Sequence, residues 1–140
     1  PYDINLGRNE KFSLGIAIET FEHIPPDLVC PYLELLSKHI DDYLLITVPN
    51  EVGIFFLIKR LLKPRSQEGE IYSLKDILKI TFGKTNYVER DNHKGFDYNH
   101  LIYDIRKFFH IKEISAYPRS IFLPKNLLFG IGVVAIPKKK

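Results

Sequence analysis

The stretch FSLGIAIET, Phe12 to Thr20, decides the fold: it is an almost unbroken apolar run of strand length. A run of this kind predicts a strand buried on both faces, as in a parallel sheet. Pro25-Pro26 then breaks the chain. Tyr32, Leu33, Leu36 and Ile40 follow at helical spacing, with Pro31 acceptable in the first turn of the helix. Tyr43 to Val48 (YLLITV) reads as a second buried strand, closed by Pro49-Asn50. Strand, helix, strand in this order argues for an α/β sheet.

Working outward, Val52 to Leu62 contains GIFFLIKRLL and has helix length, followed by the polar loop Pro64 to Gly69. Ser73 and Asp76 form a capping pair for a short helix, with Gly83 as its stop. Thr85 to Lys94 is polar and irregular. Asp97 caps a helix whose apolar positions are Leu101, Ile102, Ile105, Phe108 and Phe109. Ile111 to Tyr117 and Ile131 to Ile136 read as the third and fourth strands, able to pair antiparallel. Ile121 to Phe129 is apolar, carries Pro124 and fits either element.

Composition bounds the rest. The 140 residues suit one domain, spanning 1–140, and 45% hydrophobic with 26% charged residues is an ordinary globular balance. A net charge of +3 does not by itself argue for nucleic acid. The single cysteine, Cys30, makes no internal disulfide and gives no sign of an oxidising compartment. No apolar run approaches the roughly 18 residues of a membrane span, and the N-terminus lacks a signal-peptide layout, so a cytoplasmic location is expected. The chain has no methionine and begins at Pro1, which leads to the expectation of processing, or of a piece cut from something longer.

Among the glycines there is no G-x-G-x-x-G, no phosphate-loop motif and no G-x-S-x-G. Gly130 and Gly132 form a G-x-G, but Gly132 lies within an apolar run, where close packing is the simpler role. Cysteine zinc sites are excluded by count. What stands out is Glu19-Thr20-Phe21-Glu22-His23, where the first strand ends. Open α/β sheets bind ligands at the carboxyl ends of their strands, and Pro49-Asn50-Glu51 falls on the same edge if the strands are parallel.

The segment FSLGIAIETFEHIPPDLVCPYLELLSKHIDDYLLITVPNE resembles the middle of a class I S-adenosylmethionine-dependent methyltransferase. That family commonly shows a strand ending in E-x-x-E-H-[IV], a helix, then a strand reading LLITVPN. HKGFDYNHLIYDIRKFFHIKEISAY is similar to its last helix and sixth strand, and Ile131 to Ile136 to its seventh. The resemblance implies a partial Rossmann-like sheet, strands 4-5-7-6 with the last antiparallel and helices on both faces. Strands one to three, with the glycine-rich cofactor turn, would precede Pro1. It further implies S-adenosylmethionine as cofactor, with Asp3 and Ile4 at the adenine and Ala17, Ile18 and Glu19 along the methionine end. Bland readings stand beside these: a turn aspartate at Asp3 and plain strand burial at Ala17 to Glu19.

Some relatives hold a divalent ion with an E-x-x-E-H cluster and a later histidine, which here would be Glu19, Glu22, His23 and His93. Such an ion would lower the pKa of a bound hydroxyl. The same residues equally serve caps and local hydrogen bonds in relatives without a metal. His23 is also the candidate general base. The implied reaction is methyl transfer to an oxygen of a small or lipid-like acceptor. Two rivals remain open: a metal-assisted RNA 2'-O-methyltransferase, and a methyltransferase-like binding module without catalysis, since the chain alone would lack part of the cofactor site. Ile54 to Lys63 suits either core packing or contact with a membrane or lipid-like substrate. Without strands one to three the first strand becomes an apolar edge, which is expected to pair with a second copy, to swap, or to be covered by the N-terminal residues.

Overall fold

The computed structural model describes residues 10–62, 72–85, 94–117 and 128–138. Four strands form one mixed, open sheet: β1 (Phe12–Ile18), β2 (Ile40–Pro49), β3 (Phe109–Tyr117) and β4 (Gly130–Pro137). Their spatial order is β1-β2-β4-β3. β1 and β2 are parallel, while β4 runs antiparallel to both β2 and β3. The fold is therefore α/β, with the last strand threaded between the second and third.

The helix α1 (Pro26–His39) joins β1 to β2 and begins earlier than Pro31 suggests. Pro26 occupies the first helical position, where its missing N–H costs nothing, and Pro31 lies further in, at the expense of one helical hydrogen bond. α1 passes directly into β2, the Ile40 N–H closing on the Leu36 carbonyl. α4 (Tyr98–Phe108) enters β3 the same way, through the Phe109 N–H to the Ile105 carbonyl. α4 starts at Asp97, whose Oδ1 accepts from the Asn99 N–H at 2.8 Å. The other oxygen of Asp97 accepts from the buried Thr85 hydroxyl at 3.0 Å.

Val29 and Leu33 of α1 and Leu101, Ile102 and Ile105 of α4 cover one face of the sheet. Beneath them lie Leu44, Ile46 and Val48 of β2 and Ile131, Val133 and Ala135 of β4, brought to one side by the antiparallel register. Helices on both faces were expected; among the described residues, those that pack on the sheet take one face only. On the other face Leu14, Ile16, Ile18 and Tyr43 are exposed. The expectation that β1 is buried on both sides is corrected with it: β1 is an outer strand.

α2 (Gly53–Leu62) and α3 (Leu74–Thr81) form a satellite pair around Phe56 and Ile80, with Val52, Tyr72 and Ile77 packed on them. In α2, the buried Phe56 supports core packing for that segment, while Ile58 and Leu61 remain exposed. The expected capping box is complete: the Asp76 N–H donates to Ser73 Oγ at 3.1 Å and the Ser73 N–H to Asp76 Oδ2 at 3.3 Å. Gly83, at φ +69°, ends α3 with Gly83 N–H to Ile80 and Lys84 N–H to Lys79 carbonyl bonds. No helix among the described residues is long and apolar enough to cross a membrane.

Candidate binding edge at the C-terminal ends of the strands

β1, β2 and β3 point the same way, so Ile18, Pro49 and Tyr117 end on one edge, with Gly130 opening β4 between them. At this edge the backbone of Glu19 turns to φ +47°. A non-glycine residue in the left-handed region carries strain, and such residues gather at functional sites. The turn is held by the Glu19 N–H to the Thr47 carbonyl and the Thr20 hydroxyl to the Ile18 carbonyl, both 2.9 Å.

Its effect follows from the register. Ile18 pairs with Thr47 and shares its face, so a strand continued regularly would send Glu19 to the opposite face. The left-handed turn instead brings its carboxylate to Tyr117, whose hydroxyl donates to Glu19 Oε1. Tyr117 stands on β3, its ring lies across β4 towards Thr47 of β2, and its hydroxyl meets Glu19 just beyond the end of β1. A Cβ on Gly130, its register partner, would fall within the Tyr117 ring. Gly130 is thus the close-approach glycine of the pair, whereas a Cβ on Gly132 would meet only Ser115 Oγ at 3.1 Å.

Burial pushes the Tyr117 phenol up to about 12, helped by the hydrogen bond to Glu19 and the negative charges of Glu19 and Glu22. Thr47 acts in the opposite direction. Tyr117 is therefore a donor that stays protonated, a holder of the carboxylate rather than a base. Since its folded pKa lies above the ordinary value of 10.0, its stabilising contribution is complete below that pH and is lost as pH rises towards 12. Titrated by phenolate absorbance, the most alkaline tyrosine is expected to vanish in Tyr117→Phe; an unchanged alkaline limb would contradict the assignment.

Around this pair the edge is acidic. Glu22, in the 3-10 turn Phe21–His23, is buried, with His23 Nε2 3.9 Å from its Oε1 and the imidazole half-exposed. Glu51 and Asn50 are buried where β2 ends. The side chain of Asn50 donates to the Leu128 carbonyl at 3.0 Å and its N–H to the Phe129 carbonyl at 2.9 Å, tying the approach to β4 to the edge.

Of the residues singled out in the sequence, Asp3, Ile4 and His93 lie outside the described residues. Ala17 faces the helix-covered core, Ile18 is exposed on the other side, and Glu19 turns into the edge. Among the described residues no three metal-capable side chains gather. Glu19 is engaged by Tyr117, Glu22 is buried and His23 is half-exposed beside it. Tyr117 is the residue the sequence reading missed; the Gly130-x-Gly132 pair was its only trace.

At the opposite edge of the sheet a cleft of about 540 Å³ is lined by Lys11, Lys38, Lys107 and Lys138 together with Glu34 and Asp41. The carboxyl ends of α1 and α4 meet there, and helix C-termini attract cations. Lys38 pairs with Glu34 and Lys107 with Asp104, each at 2.7 Å, and Lys138 donates to the Arg106 carbonyl at 2.6 Å. These lysines serve the fold.

Comparison with protein-family models finds no match, and comparison with curated proteins finds none either.

Proposed function

We propose that the chain serves S-adenosylmethionine-dependent methyl transfer to an oxygen of a small acceptor, with the edge at Glu19 as its binding edge. The observation that carries this reading is the sheet order β1-β2-β4-β3 with its reversed last strand, together with the polar groups gathered where β1, β2 and β3 end. The resemblance of FSLGIAIETFEHI and LLITVPN to this class supports the same reading.

When bound, the cofactor supplies a methyl group on a positively charged sulfur. The carboxylates of Glu19, Glu22 and Glu51 make the edge attractive to such a cation, most strongly where water is partly excluded. Tyr117 holds the Glu19 carboxylate in place so that little ordering is left to binding. His23, half-exposed beside Glu22, takes the proton of an acceptor hydroxyl as that oxygen bonds the methyl carbon and the carbon–sulfur bond to it breaks, leaving a neutral sulfur. Alignment of the reacting groups supplies the greater part of catalysis in this reaction class.

Calorimetric titration of the chain with S-adenosylmethionine and with its product S-adenosylhomocysteine, whose sulfur carries no charge, tests the role of the acidic edge. Glu19→Gln is expected to weaken the sulfonium-bearing cofactor about tenfold, the scale of one partly screened charge pair, and the product with its neutral sulfur less. Equal losses for the two ligands would remove Glu19 from the cation's surroundings.

A further inference from the structure

We propose that α3 seats the chain on an anionic lipid surface through the stripe Leu74, Leu78 and Phe82. This does not rest on the methyl-transfer reading. The three residues recur at every fourth position, so they line up along one side of the helix and of the residue that closes it. They are 81%, 55% and 74% exposed. On the other side Ile80 is buried, and Ile77 packs beside it on the satellite core with Phe56 of α2. α3 is thus apolar on two sides, and packing within the chain accounts for one of them.

The charges beside the stripe have one sign. Lys75 and Lys79 follow Leu74 and Leu78 by one residue and run along one border of the stripe, and Lys84 comes just after Phe82. Lys75 and Lys84 are exposed and Lys79 is half-buried. Asp76, the only acidic residue of α3, is engaged elsewhere: it accepts from the Ser73 N–H and pairs with Lys94 at 3.4 Å. The outward side of α3 therefore carries apolar side chains next to cations, the pattern of a helix that lies in the plane of a membrane interface.

That pattern selects the occupant. A second copy brings no complementary charge, since its stripe carries the same lysines and no carboxylate to receive them. Three side chains also fall well short of the roughly 800 Å² that each partner contributes to a stable protein interface. A lipid surface asks for neither a matching groove nor a large area. The two leucines and the phenylalanine enter the acyl boundary, while the lysines keep their ammonium groups among anionic headgroups, as long basic side chains can. Ile77 and Ile80 anchor the inner side, so α3 is folded before it meets the lipid and loses little freedom on binding.

Co-sedimentation of the whole chain with phosphatidylcholine vesicles, with and without phosphatidylserine, tests the proposal. Binding is expected to the anionic vesicles, to weaken at high salt, and to be at least about tenfold weaker on phosphatidylcholine alone. Leu78→Ser and Phe82→Ser should each weaken it about tenfold, and Lys84→Gln about fivefold. All three side chains are exposed, so circular dichroism and thermal unfolding are expected to match wild type. Ile16→Ser, which changes an exposed apolar residue of the sheet instead, should leave binding as it is. No binding to the anionic vesicles, the result expected if the stripe meets a protein, overturns the proposal. So does equal binding to both kinds of vesicle, or a loss in Ile16→Ser that matches Phe82→Ser.

Discussion

Ile46→Ala is expected to lower the unfolding free energy by about 2–5 kcal/mol, the range for emptying a buried isoleucine site. Ile46 is 0% exposed in the middle of β2, between Ala17 of β1 and Val133 of β4. Val29 and Leu33 of α1 and Ile105 of α4 belong to the same core. Strands and helices lock this position on every side, so the vacated volume has little room to collapse. The same substitution at Ile16, one strand away and 58% exposed, should stay within about 0.5 kcal/mol of wild type. Urea unfolding of both variants makes the comparison. Equal losses would mean that the covered and open faces of the sheet have been assigned wrongly.

Gly130→Val is expected to remove about 1–3 kcal/mol, the usual cost of forcing a branched side chain into occupied space. The new Cβ would fall within the Tyr117 ring, so the ring must leave. With it goes the hydrogen bond to Glu19, and the late ionisation of Tyr117 should return towards the ordinary tyrosine range. Gly132→Ala is the milder companion, because a Cβ there meets only the Ser115 hydroxyl at 3.1 Å, which can rotate away. Wild-type stability and an unchanged tyrosine titration in Gly130→Val would show that Tyr117 does not cross β4.

The elements written in local chemistry could be read from the sequence. Ser73, Asp76 and Gly83 bracket α3, Asp97 caps α4, and apolar runs mark the four strands, because caps, stops and strand periodicity act within a few residues. The start of α1 was misjudged because proline is allowed both at Pro26 and at Pro31, and only the packed helix distinguishes them. The open face of β1 was hidden because a continuous apolar run looks the same whether one face or two are covered. Tyr117 was hidden for a related reason: its role depends on Gly130 being its partner in β4, a register the local pattern does not carry. Glu19 was singled out for its place at a strand end, but its left-handed backbone had no local signal such as glycine or asparagine.

The C-terminal ends of β1, β2 and β3 form the edge proposed to bind S-adenosylmethionine. Its most direct test is an amide-shift titration of the isotope-labelled chain with the cofactor up to millimolar concentration. Saturable shifts are expected, centred on Glu19, Thr47, Asn50 and Tyr117, with the lysine-lined cleft at the opposite edge unmoved. An unshifted spectrum, or shifts centred on Lys11, Lys38 and Lys107, would contradict it.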